Sequence, residues 1–361
     1  MSVSRDAFYM ARAIHLAKKG RYTTDPNPRV GCVLVRDDVV IGEGWHAKAG
    51  QGHAEVEALK NVADARGATA YVTLEPCSHH GKTPPCCDAL IKAGVSRVVA
   101  AMQDPNPQVS GRGLKKLKAA GIEVSCGVLQ EDALALNRGF IKRMTDKRPF
   151  VRSKLAMSLD GRTAMASGES KWITSNEARA DVHRLRAESS AILTGINTVV
   201  ADDPALNARV EGDVLQPVRV VLDTHLNMPV SAQMIKLPGR SLILTCAQDR
   251  QKQQALQQAG FEVYQLPGKN GRLDLHAVMD FLAGQHINEL LVEAGSVLNG
   301  ALLAEGLIDE YVIYMAPCIL GDQGRGLFNL PGLQQMADKK QLKLRDVRQI
   351  GQDLKLTYTP L

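Results

Sequence analysis

The sequence predicts two consecutive α/β domains. Helix-period and strand-period segments alternate through both halves of the chain. A length of 361 residues exceeds one ordinary compact domain. A charged stretch from Arg143 to Pro149, after a helix expected to end near Lys142, interrupts the alternation. These observations set the domains at 1–146 and 147–361.

In the first domain, Ala7, Met10, Ala11, Ile14 and Ala17 recur at helical spacing, with Arg12, Lys18 and Lys19 between them. That pattern is a surface helix and not a secretory signal. Val30–Arg36 and Val39–Trp45 read as a hairpin turning at Asp37-Asp38. A helix is expected over His53–Asn61, a strand over Ala70–Leu74, a helix over Cys86–Ala93 and a strand over Arg97–Met102. A helix near 112–120 and a short strand at 122–126 close the unit as an α/β sandwich.

The second domain opens with a strand, Phe150–Ala156, and a turn at Asp160-Gly161. Thr174 and Glu177 fit a capping box ahead of a helix that carries Ala178, Val182 and Leu185 on one face. Strands follow at 190–194, 218–223, 241–245 and 289–293. The last of these enters a helix running to about 305, and strands at 310–316 and about 353–359 end the chain.

Hydrophobic content of 45% and charged content of 23% are globular values. No apolar run is long enough to span a membrane. Up to Lys147 there are 21 Lys+Arg against 15 Asp+Glu, and beyond it 23 against 23. The excess suits an anionic substrate. No basic run is interleaved with aromatics, so nucleic acid is not an expected partner. Seven cysteines without a secretory signal point to reduced thiols in the cytoplasm.

The chemistry concentrates in His53-Ala54-Glu55 and in Glu75 to Cys86. One imidazole (His53) and two thiolates (Cys77, Cys86) form the donor set of a catalytic zinc, which leaves a fourth position for water. Taken singly, a His-x-Glu is usually a solvated helix face and a Pro-Cys pair is usually packing. Together they lie at two expected helix N-termini, where the helix dipole favours thiolate. Glu55 is then the proton shuttle and catalytic residue, the logic of zinc deaminases. Cys86 is preferred to Cys87 because it directly follows Pro84-Pro85, whereas Cys87 is rotated about 100° around the helix.

The tetrapeptide Asp-Pro-Asn-Pro occurs at 25–28 and 104–107. It is ordinary turn chemistry, or else it presents Asn27 and Asn106 as rigid amides at the zinc pocket. The second half has no Gly-x-Gly-x-x-Gly, and Gly295 to Gly300 lacks the Lys-Ser/Thr of a phosphate-binding P-loop. Val292 to Ser296 is a strand entering a helix through a glycine, a plain connection or a pyrophosphate site. Arg186 and Arg209 are candidates for bidentate phosphate contacts.

With both halves in view, the chain resembles the bifunctional deaminase–reductases of riboflavin biosynthesis. The resemblance rests on Pro26 to Cys32, Gly52 to Glu55, Glu75 to Cys86, Lys154 to Arg162, Ser167 to Thr174, Asp202-Asp203-Pro204 and Val292 to Gly295. It implies a cytidine-deaminase-like α/β/α sandwich followed by a dihydrofolate-reductase-like α/β domain that binds NADPH without the Rossmann fingerprint. The implied partner is a small phosphorylated pyrimidine, a diaminopyrimidinone ribosylamino 5′-phosphate. It would be deaminated with Zn²⁺ and its ribosyl chain then reduced to ribityl.

The resemblance places NADPH contacts at Ala156, Trp172, Thr198, Asp202 and Thr224, and along Gly295, Ser296, Val297, Leu298, Asn299, Gly300 and Ala301. It places reductase substrate contacts at Ser170, Arg186, Leu206, Arg209 and Glu293. Asn27, His79, Lys82, Asp104 and Asn106 would orient the deaminase substrate, and Lys154 and Asp202 are polar partners for the sugar hydroxyl. A homo-oligomer is implied as well. The rival readings are a nucleobase or nucleic-acid deaminase with an accessory binding domain, and a structural zinc protein. The eight residues between Cys77 and Cys86 argue against the first, and a free Glu55 argues against the second.

Overall fold

The computed structural model describes residues 4–78, 84–107 and 109–361. The chain divides into two compact units, the first ending at Lys147 and the second beginning at Arg148.

In the first unit, α1 (Arg5–Ala17) is capped by Ser4, whose hydroxyl accepts from the Ala7 N–H. The hairpin β1 (Gly31–Arg36) and β2 (Val39–Trp45) turns through Asp37 and Asp38, with φ of 50° and 61°. Short polar side chains tolerate this left-handed backbone. There follow α2 (Ala54–Leu59), β3 (Thr69–Val72), α3 (Cys86–Ala93), β4 (Arg97–Ala100), α4 (Arg112–Ala119) and β5 (Glu123–Cys126). Then come α5 (Gln130–Leu136) and α6 (Arg138–Asp146). The last helix therefore runs to Asp146, past the expected end near Lys142, and stops at Lys147 in a left-handed conformation (φ 59°).

The sheet order is β2-β1-β3-β4-β5, with β1 antiparallel to β2 and β3, and with β3, β4 and β5 parallel. Alternate residues of a strand point to opposite faces. Val33, Val35 and Tyr71 accordingly meet Met10, Ala13 and Ile14 of α1, while Cys32, Leu34 and Val72 join Ala54, Ala58 and Leu90 in a second core. Small residues set how closely α2 lies on the sheet. A Cβ on Gly44 would stand 2.3 Å from the Ala58 nitrogen and 2.4 Å from the Ala54 oxygen.

The second unit contains β6 (Phe150–Met157), β7 (Arg162–Ala164), α7 (Asn176–Glu188), β8 (Ala191–Gly195), α8 (Ile196–Asp202) and β9 (Val218–Leu222). Next come β10 (Ser241–Thr245), α9 (Arg250–Gln258), β11 (Glu262–Gln265), β12 (Gly268–Lys269), β13 (Arg272–Leu273) and α10 (Leu275–Gly284). It ends with β14 (Glu289–Val292), α11 (Ser296–Ala304), β15 (Glu310–Met315), β16 (Arg325–Gly326), β17 (Leu342–Ile350) and β18 (Asp353–Pro360). The capping box assigned to Thr174 and Glu177 is corrected. Ser175 is the cap of α7, accepting from the Ala178 N–H, and its own N–H and hydroxyl bind Asp353 on β18.

The nine-stranded sheet runs β11-β10-β9-β8-β14-β6-β15-β18-β17. Strands β11 to β15 in that order are parallel, and β18 and β17 are antiparallel additions. Its two faces carry separate cores: Leu193, Val220, Leu290 and Val292 on one, Ile192, Val221, Leu291 and Tyr314 on the other. The helices α9 and α10 and the strands β11 and β17 are not among the elements expected from the sequence. No helix among the described residues is long and apolar enough to cross a membrane.

Candidate functional sites

In the first unit, three chain segments meet. His53 is the N-cap residue of α2 and makes no side-chain capping bond, which leaves its imidazole for another partner. Cys86 opens α3, and Cys77 lies in the loop after β3. The His53 Nδ1 stands 3.2 Å from the Cys86 Sγ and 3.6 Å from the Cys77 Sγ, and the three donor atoms lie within 4.8 Å of one another. Donors bound at 2.0–2.3 Å around a tetrahedral zinc are separated by roughly 3.4–3.8 Å. The donor set and its spacing therefore fit zinc.

The Cys86 thiol and its backbone N–H, 3.3 Å away, both donate to the Cys77 Sγ, and with His53 they hold the Cys77 thiol low. Cys86 is pushed upward by that same neighbour. Cys87 points the other way. It is buried, its Sγ bonds the Pro76 carbonyl at 3.2 Å, and burial pushes it up to about 12. Glu55, on the first turn of α2, is 3% exposed, and burial pushes its carboxyl up to about 7.

A cavity of about 460 Å³ opens on this cluster, lined by His53, Glu55, Cys77, Asn27, Asp104 and Asn106 among others. Both Asp-Pro-Asn-Pro segments thus reach one cavity. Sequence reasoning missed His46 and Glu75 in its wall. His46 leaves β2 and accepts from Asn27 (Nδ2 to Nε2, 3.1 Å), while its Nδ1 donates to the Gly52 carbonyl at 3.0 Å. An imidazole just after a strand in a chain with nine histidines gave no signal of its own. His79 and Lys82 lie outside the described residues.

The second unit has a cavity of about 700 Å³ at the carboxyl ends of β6 and β14, where open parallel sheets bind ligands. Ala156, Trp172, Thr198, Asp202, Gly295 and Ser296 line it, as do Ser170, Arg186, Leu206, Arg209 and Glu293. Gly295 caps α11 without a side-chain bond, so the helix start faces the cavity with backbone amides that suit a pyrophosphate. Thr224 and residues 297–301 are not in the cavity wall. Asn299 is buried and bonds Ser153 and the Ala294 carbonyl. Gly300 packs against Asn329, whose oxygen would stand 2.2 Å from an added Cβ. Thr224 follows β9, and its carbonyl accepts from the Thr245 hydroxyl.

The Arg186 fork expected to hold phosphate is engaged by Glu293, through Nε at 2.6 Å and Nη2 at 2.8 Å. Lys154 lines the same wall, and burial pushes its ammonium down despite Glu293. Asp202 is paired with Lys171 at 2.9 Å. Trp172 is 71% exposed, with the Arg179 guanidinium 4.4 Å above its ring. His183, also in the wall, accepts from the Arg209 N–H at 3.3 Å and is pushed down to about 4 by burial and by Arg186 and Arg209.

Residues 149–356 match the family described as the RibD C-terminal domain. The riboflavin biosynthesis protein RibD of Escherichia coli K12 is 50% identical over 97% of this chain and 98% of its own. The chain belongs to the RibD family. Residues 3–102 also match the cytidine and deoxycytidylate deaminase zinc-binding region. RibD of Haemophilus influenzae is 50% identical over 99% of this chain and 98% of its own. The solved RibD of Acinetobacter baumannii, 48% identical, superposes with a TM-score of 0.93 over 99% of both chains. A Thermotoga maritima structure, titled a diaminohydroxyphosphoribosylaminopyrimidine deaminase/5-amino-6-(5-phosphoribosylamino)uracil reductase, is 35% identical, with a TM-score of 0.87 over 99% of both chains. The chain is a bifunctional deaminase–reductase of riboflavin biosynthesis, with Zn²⁺ for the first activity and NADPH for the second. The reading as a nucleic-acid deaminase is not favoured.

Proposed function

We propose that the first cavity deaminates 2,5-diamino-6-ribosylamino-4(3H)-pyrimidinone 5′-phosphate and that the second reduces the ribosyl chain of the product to ribityl. The carrying observation is the convergence of the His53, Cys77 and Cys86 donor atoms within 4.8 Å, beside the buried Glu55. His53, Cys77 and Cys86 would hold zinc, which supplies Lewis acidity to the attacking water. Glu55 takes a proton from that water as its oxygen adds to the amino-bearing ring carbon. It then hands the proton to the departing ammonia, and a carbonyl remains. A pKa near 7 suits a group that must both take and give. Asn27, Asp104 and Asn106 orient the ring and its phosphoribosyl tail, with His79 and Lys82 assigned to the same task by the resemblance.

In the second cavity NADPH supplies the hydride. Ala156, Trp172, Thr198, Asp202 and the start of α11 from Gly295 would hold it, and the cavity of about 700 Å³ is of ligand-site size. Ser170, Arg186, Leu206, Arg209 and Glu293 would contact the substrate. Lys154 and Asp202, both in the cavity wall, would be polar partners for the developing hydroxyl. Among the phosphate candidates, Arg209 is favoured over Arg186, whose fork already binds Glu293. We also read the enzyme as a cytoplasmic homo-oligomer, in keeping with seven unpaired cysteines, and light scattering tests the assembly. The test of function is incubation of the full chain with the diaminopyrimidine nucleotide, with and without NADPH. Ammonia release needs only zinc, and NADPH oxidation follows it. Failure of ammonia release from zinc-loaded protein refutes the proposal.

A further inference from the structure

The tripeptide Glu75-Pro76-Cys77 carries a metal-ligand candidate at one end and a buried carboxylate at the other. Glu75 is 3% exposed and accepts from four backbone amides. Its Oε2 accepts from Asp104 (3.1 Å) and Gly111 (2.9 Å), and its Oε1 from Gly113 (2.8 Å) and Leu114 (3.2 Å). One oxygen thus ties together both ends of the segment from Asp104 to Gly111, and the other caps the first turn of α4. The negative charge is favoured at that helix start. The packing is close, since a Cβ on Gly113 would stand 2.1 Å from the Pro76 oxygen. Within the tethered segment, the Asp104 Oδ1 accepts from the Asn106 N–H at 2.8 Å, and both residues line the deaminase cavity.

We infer that Glu75 is a positioning residue of the deaminase: through these four bonds it sets the Asp104–Asn106 wall against the cluster that its own neighbour Cys77 joins. The inference rests on the proposed reading of that cavity as the substrate site. Two separate chain segments must keep a fixed spacing for the pyrimidine to meet Glu55, and one carboxylate spans both. Hydrogen bonds to an ionised group are the stronger class, so turning two of them into donor–donor contacts moves the wall.

The test uses the full chain as Glu75→Gln, Asn106→Ala and the double variant. Gln keeps one accepting oxygen but turns its amide N–H groups toward two backbone N–H donors. In Glu75→Gln the KM for the diaminopyrimidine nucleotide rises about tenfold or more, with zinc content and reduction of the deaminated nucleotide at wild-type levels. Asn106→Ala then costs much less in the Glu75→Gln background than alone, because the two act through one wall. An unchanged KM, additive losses, or a loss that tracks zinc content overturns the inference. Should Glu75→Gln fail to fold, hydrogen exchange on the wild type decides. Protected amides at Asp104, Gly111, Gly113 and Leu114 sustain the inference, and freely exchanging ones overturn it. Full deamination by Glu55→Gln would instead refute the site reading itself.

Discussion

Arg186 and Glu293 form a two-pronged ion pair, at 2.6 and 2.8 Å, in the wall of the second cavity beside Lys154. Their side chains are 15% and 12% exposed. Burial raises Glu293, but Arg186, Lys154 and His183 more than offset this and hold it below the usual carboxylate range. A carboxyl held low in the fold adds stability that is present above its unfolded value and is lost as pH falls through its folded value. Glu293→Gln therefore lowers the Tm at neutral pH, and the gap to wild type narrows on acidification through the carboxylate range. A gap independent of pH would contradict the pairing. Arg186→Ala should destabilise by about 3 kcal/mol, because it strands a buried charge.

The Glu293 carboxylate also supports the ammonium of Lys154 against the burial that pushes it down. In Glu293→Gln that support is gone and Lys154 loses its proton at lower pH. If Lys154 donates the proton, the alkaline limb of the reductase rate moves to lower pH. A limb that stays in place removes Lys154 from that role.

The two adjacent cysteines should separate cleanly. Cys86→Ser loses stoichiometric zinc and deamination together. Cys87→Ser, whose Sγ faces the Pro76 carbonyl and away from the donor cluster, keeps the metal. Elemental analysis of both purified variants distinguishes them, and the reverse result would reassign the ligand.

Glu55→Gln should bind zinc normally and lose deamination by roughly 10²–10⁴-fold. Its NADPH-dependent reduction of the deaminated nucleotide should be intact, since Glu55 belongs to the first unit. Near-normal ammonia release would end its assignment as proton shuttle.

Gly44→Ala tests how α2 is held. The new methyl would meet backbone atoms at 2.3 and 2.4 Å, so the helix must lift from the sheet. The expected cost is about 1–3 kcal/mol. Because His53 and Glu55 ride on that helix, zinc affinity should fall with it. Wild-type affinity in a destabilised Gly44→Ala protein would show that the site does not depend on this contact.

Local signals marked many of the elements. Val33 and Leu34 alternate between two cores, as a strand with helices on both faces requires. The His53, Cys77 and Cys86 donor set was legible because few other arrangements explain those residue types together. Some elements were left unassigned: α9 and β11 sit in a polar stretch, α10 carries Leu275, Val278, Met279 and Leu282 at a helical spacing that is legible, and the exposed β17 is ordered by pairing with β18. The cap of α7 lies one residue beyond the expected one, because Glu177 completes a capping-box pattern with Thr174 that the adjacent Ser175 lacks. Asp353, far along the chain, selects Ser175.

Residue types and their spacing, by themselves, determined the two α/β units, the metal donor set and the carboxylate beside it, since each follows from periodicity or ligand chemistry within short segments. Only the folded chain decided that both Asp-Pro-Asn-Pro turns face one cavity, that Arg186 is bound to Glu293, and that Glu75 accepts from four backbone amides. Those relations join residues separated by 29 to 107 positions. A linear pattern holds no record of which distant groups packing will bring within hydrogen-bond reach.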